Sequence, residues 1–137
     1  MNLYVDASVV LRVILAEPNQ LRSWSRIDSA VSSELIRVEC LRAVDRARIE
    51  FNLADDAVSR QRADVLDAIT SVSLIPIGST ILDRAAEPFP TQLGTLDAIH
   101  LASALLVREQ FDDLIFATHD RALGIAARAM GFQVQGI

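Results

Sequence analysis

Short β-branched and apolar stretches alternate with longer segments of helical spacing along this chain, and that alternation limits its folds more than any other feature. Asn2–Val5 reads as a strand ending at Asp6. Ala7–Ala16 then repeats apolar residues at helical intervals through Val9, Val10, Val13 and Ile14 until Pro18. Gln20–Ile27 reads as a short helix and Ala30–Ser32 as a strand. Glu34–Phe51 and Asp55–Thr70 read as long amphipathic helices. Val72–Ile77 is β-branched enough for a strand, and Ser79–Glu87 is helical. Pro88 and Pro90 open a loop that ends at Gly94. Thr95–Gln110 is a helix, Leu114–Ala117 a strand, His119–Met130 a helix stopped by Gly131, and Phe132–Gln135 a last strand. Strands separated by helices predict an α/β domain whose parallel sheet is covered on both faces. In such sheets ligands sit beyond the carboxyl ends of the strands, so the residues just after each strand are the first candidates for a site.

The length of 137 residues suits one domain, taken here as residues 1–137. A hydrophobic content of 51% excludes a disordered chain. The apolar runs fall short of the roughly 20 residues that a membrane span needs, and the opening MNLYVDAS lacks the basic start of a signal peptide. Cys40 is the single cysteine, so no internal disulfide is expected and a reducing, cytoplasmic setting is. The formal net charge is −5, which argues against a generic nucleic-acid coat and suits a cation or a basic protein partner. The chain has no lysine; its 13 strongly basic side chains are all arginine.

Four acids stand out. Asp6 directly follows the first strand, and Asp120 follows IFAT with one residue between. Either could be a helix N-cap, a position that aspartate favours. Glu39 falls at the edge of the stripe formed by Ile36, Cys40, Ala43 and Ala47, where a surface pair with Arg42 is the simpler explanation. Asp97 interrupts the oily stretch LGTLDAIHLASALL. The dipole of its helix tolerates an acid in the first turn but does not explain why so apolar a helix carries one. Crowded carboxylates repel unless a cation sits among them. Mg²⁺ or Mn²⁺, which prefer oxygen ligands, would relieve the repulsion, polarise a phosphoryl oxygen and supply an activated water for attack on a phosphodiester.

The segments LYVDASVV, SSELIRVECLRA, TLDAIHLASAL and FATHDRAL together resemble the PIN-domain nucleases, and most closely the VapC toxins of VapBC toxin–antitoxin modules. The resemblance spans the whole chain. It implies a three-layer α/β/α sandwich around a parallel sheet of four to five short strands. It also implies an Mg²⁺- or Mn²⁺-dependent endoribonuclease, a homodimer, and a VapB-type antitoxin that blocks the acidic pocket. By motif position, Asp6, Glu39, Asp97 and Asp120 match the family's four acids, with Asp6 and Asp97 the ones most consistently assigned to metal. Thr118 matches a hydroxyl residue that supports the fourth.

Affinity for RNA would then come from metal and from arginines near the groove. Arg12, Arg37, Arg42 and Arg46 are candidates, Arg42 and Arg46 foremost, although for any one of them a solvated helix face is the simpler reading. His100 reads as a residue satisfying a polar contact in or near the core, and His119 as one that orients or starts its helix, because metal-activated water needs no histidine base. Trp24 fits packing or protein contact rather than base stacking. A non-catalytic acidic-pocket module, PIN-like or receiver-like, is the alternative. The missing lysine weighs against a receiver and against a P-loop. Ser8 stands where a haloacid-dehalogenase-like phosphatase would place its second aspartate.

Overall fold

The computed structural model describes residues 1–15, 17–21 and 28–137. Five parallel strands form one sheet: β1 (Asn2–Val5), β2 (Ser29–Ser33), β3 (Val72–Ile75), β4 (Ile115–Ala117) and β5 (Gln133–Gln135), in the order β3-β2-β1-β4-β5. Six helices connect and cover them: α1 (Ala7–Ile14), α2 (Leu35–Glu50), α3 (Asp55–Thr70), α4 (Ser79–Ala86), α5 (Thr95–Arg108) and α6 (Arg121–Ala129). Most of the helix expected over Gln20–Ile27, Trp24 included, lies outside the described residues, as does Ala16.

β1 is central, and its side chains explain the three layers. Leu3 and Val5 point into a core shared with α1, α2 and α3, where Val9, Val10, Ile36, Cys40, Val44 and Val65 are buried. Tyr4 points the other way, into a core with α5 and α6 that holds Leu101, Ala104, Phe116, Leu123 and Phe132. A strand buried on both faces reads as an unbroken apolar run, which is why LYV shows no polar alternation. Tyr4, Phe116 and Phe132 continue this second core as an aromatic row, with centroids 5.2 and 5.7 Å apart. Against α5 lies α4, through Ile81, Ile99 and Ala102. This extra layer explains why α5 is buried nearly all round from Ala98 to Ala104.

The boundaries differ from the sequence expectation where local chemistry intervenes. β3 stops at Ile75 because Pro76 has no N–H to donate to the ladder. α4 stops at Ala86 because Pro88 forces Glu87 into extended backbone (ψ 156°). α6 begins at Arg121, two residues later than expected, since Asp120 is its cap. Gly131 ends α6 in the left-handed region (φ 90°), with Phe132 N–H donating to the Ala127 carbonyl. No described helix is long and apolar enough to cross a membrane.

Candidate active site

From β1 the chain moves outward to β2 and β3, then crosses back to β4 on the other side. The carboxyl ends of β1 and β4 therefore flank a topological switch point, where an open parallel sheet leaves a crevice. Asp6 follows β1, and Thr118, His119 and Asp120 follow β4.

Asp6 is 5% exposed. Its Oδ1 accepts from Ser8 Oγ at 2.5 Å and from Val9 N–H at 3.4 Å, and its Oδ2 accepts from Thr118 Oγ1 at 2.7 Å. Asp6 is thus the cap of α1 expected from its position, and more than a cap. Thr118 Oγ1 also accepts the Asp120 N–H at 2.9 Å, while Ser8 Oγ accepts the His119 N–H at 2.9 Å. Two hydroxyls thereby bind the turn after β4 to the acid after β1. Asp120 in turn caps α6 by accepting Leu123 N–H at 3.0 Å. His119 does not start the helix; its Nδ1 lies 2.8 Å from the Gly136 carbonyl oxygen. Gly136 has φ 103°, and a Cβ there would overlap the Thr118 carbonyl. Only glycine lets the chain after β5 press so closely on this turn.

Asp97 lies in the first turn of α5, capped by Gly94, which offers no side chain. Half-buried, it makes no hydrogen bond or ion pair with any described residue. Burial raises its pKa to about 6, and the charges of Asp120, Asp6 and Glu39 push the same way against an opposing His100. Burial likewise raises Asp6, opposed by its hydroxyl partners. The four acids thus share one electrostatic field. Glu39 is not paired with Arg42: its Oε1 lies 2.5 Å from His100 Nε2, across the sheet edge. His100 satisfies the polar contact expected of it, with Nδ1 2.8 Å from Tyr4 Oη. Sequence reasoning passed over Ser8 and Tyr4 as site residues; the D-x-S spacing at the end of β1 was the available signal for Ser8.

Among the described residues no three His, Cys, Asp or Glu side chains close on one point as a ready ligand cage. Mg²⁺ does not require one, because it keeps several waters and is typically held by one or two carboxylates. The donor set, oxygen throughout with two acids whose charged forms are disfavoured, fits a hard divalent cation.

Arg37, Arg42 and Arg46 are exposed on α2, and none forms an ion pair with a described residue. Arg12 is turned away to Glu17 (3.9 Å) and the Asn19 carbonyl (3.3 Å). Replacing Thr118 by valine keeps the shape but strips a donor from Asp6 and an acceptor from Asp120. Leaving the buried Asp6 Oδ2 without its donor costs about 1–3 kcal/mol, so a clear fall in the urea midpoint at unchanged m-value is expected.

A family model of the PIN domain matches residues 3–128. "Ribonuclease VapC46" of Mycobacterium tuberculosis (strain H37Rv) is 32% identical over 96% of this chain and 95% of its own length. "Ribonuclease VapC47" of M. tuberculosis (strain CDC 1551) is 28% identical over 95% of this chain and 93% of its own. Among solved structures, a chain from the crystal structure of VapBC2 from Rickettsia felis bound to a promoter DNA fragment superposes with a TM-score of 0.65. It covers 98% of this chain and 97% of its own at 10% identity, a likeness of fold. A family model spanning most of the chain and near full-length relatives at this identity place the chain in the PIN-domain family, where the relatives it matches are VapC proteins.

Proposed function

We propose that the chain is an endoribonuclease that depends on Mg²⁺ or Mn²⁺ and acts as the toxin of a type II toxin–antitoxin module. The observation that carries this reading is Asp97: a half-buried carboxylate with a raised pKa, no described partner, and three further acids in its field. Such a group suits a cation better than a cap or a surface pair. The names of the relatives support RNA as the substrate. When bound, the cation supplies Lewis acidity toward a phosphoryl oxygen and lowers the pKa of water. Asp6 and Asp97 are its proposed holders, with Glu39 and Asp120 completing the pocket. Ser8 and Thr118 hold Asp6 fixed and set the turn that presents Asp120. Arg42 and Arg46, free of ion pairs with described residues, are proposed to meet the RNA backbone.

A VapB-type antitoxin is the proposed partner, in keeping with the VapBC2 complex of similar fold, and a homodimer in the cytoplasm is the proposed working form. Inducing the protein and mapping new RNA 5′ ends tests the reading. Discrete new ends are expected with the wild type and none with Asp6→Asn. Identical end maps from the two would defeat it.

A further inference from the structure

One buried chain of hydrogen bonds runs into the pocket without a role so far. The Ser33 N–H donates to Tyr4 Oη at 3.1 Å, Tyr4 Oη lies 2.8 Å from His100 Nδ1, and His100 Nε2 lies 2.5 Å from Glu39 Oε1. Tyr4 is fully buried and His100 is 1% exposed. One arrangement of hydrogens satisfies all three contacts. Tyr4 Oη accepts from Ser33 and keeps its own proton to give, which His100 Nδ1 accepts if it is the bare nitrogen. In that tautomer Nε2 carries the hydrogen and donates to the Glu39 carboxylate.

Four elements meet here: β1, β2, α2 from one helical layer and α5 from the other. A buried histidine is costly unless both nitrogens are paired, and a leucine would fill the same core more simply. His100 follows Asp97 by three residues, so both lie on one face of α5. Glu39 has three rotatable bonds on a helix whose neighbouring positions 37 and 38 are exposed. Its Oε1 is tethered, and its Oε2 has no described partner.

We propose that His100 is a positioning residue for Glu39: Tyr4 sets its tautomer, Nε2–H holds one carboxylate oxygen, and the second oxygen is left for a cation or its water. This rests on the reading that Glu39 belongs to a metal pocket. Outer hydrogen bonds of this kind typically change metal affinity or activity by about 10–100-fold when removed.

The experiment measures Mn²⁺ affinity through the free-ion paramagnetic resonance signal, RNA cleavage against Mn²⁺ concentration, and the ring ¹⁵N shifts of His100 in the Mg²⁺-loaded protein. The expected ring state is Nε2–H. His100→Ala weakens Mn²⁺ binding by about 10–100-fold and raises the Mn²⁺ needed for cleavage by a similar factor. His100→Gln, whose amide can reach the same carboxylate oxygen, recovers most of that loss. Tyr4→Phe scrambles the tautomer and weakens Mn²⁺ binding. A folded His100→Ala with wild-type affinity overturns the proposal, as does a His100→Gln protein no better than alanine. If the alanine variant does not fold, Tyr4→Phe decides: an unaltered tautomer and affinity overturn the proposal. Glu39→Gln separates the two levels. If it binds Mn²⁺ and cleaves RNA as the wild type does, the placement of Glu39 in the metal pocket has failed; if it is impaired while the His100 variants are not, only the positioning role has.

Discussion

Asp97→Asn is expected to slow metal-dependent RNA cleavage by on the order of 10²–10³-fold, the scale on which losing one member of a preorganised charge-stabilising set slows a reaction. The fold gives the substitution no reason to do structural harm. Asp97 caps nothing and accepts no hydrogen bond from a described residue, and the helix around it is held by Ile99, Leu101, Ala102 and Ala104. Single-turnover cleavage of an end-labelled RNA in Mn²⁺, beside a melting curve in chelator, separates function from folding. A stable Asp97→Asn protein that cut at the wild-type rate would remove this residue from the machinery.

The second large effect is on stability, and its sign follows from the raised acids. The Asp97 pKa moves from 3.8 to about 6, chiefly through burial and then through its acidic neighbours. A raised carboxylate pKa means that the folded state prefers the protonated acid. The associated stability is complete below about pH 3.8, drains away as the pH rises toward 6, and beyond that the folded state carries the cost of the charge. Burial gives Asp6 the same sign. In chelator, the melting temperature of the wild type should therefore fall relative to that of Asp97→Asn between pH 4 and 7. Saturating Mg²⁺ should recover the difference at pH 7, since a ligand specific to the folded state stabilises it. Scanning calorimetry across that range, with and without Mg²⁺, checks this. Parallel curves for the two proteins would contradict it.

Asp97 was legible in the sequence because a charge on an otherwise oily helix conflicts with its surroundings. Asp6 and Asp120 were legible because alternating strands and helices indicate where the carboxyl edge of the sheet lies. Glu39 was legible as a position but not as an interaction. Helical spacing offers Arg42 as its partner, whereas the fold supplies His100, 61 residues away and on another layer. Contacts between layers depend on how α2 and α5 dock on the sheet, and no local period encodes that. The same reason hid Ser8, which looks like an ordinary first-turn residue until the turn after β4 arrives to use its hydroxyl. Conversely, the late start of α6 follows from a rule visible in the sequence, the capping preference of Asp120.

The order of the strands also has a consequence for folding. The acid after β1 meets its Thr118 partner across a separation of 112 residues. The turn that carries Asp120 is itself pinned by Thr118 N–H to the Gln135 carbonyl, on β5. The acids thus come into register only once β5 has joined the sheet, because pairings between residues so far apart in sequence form late.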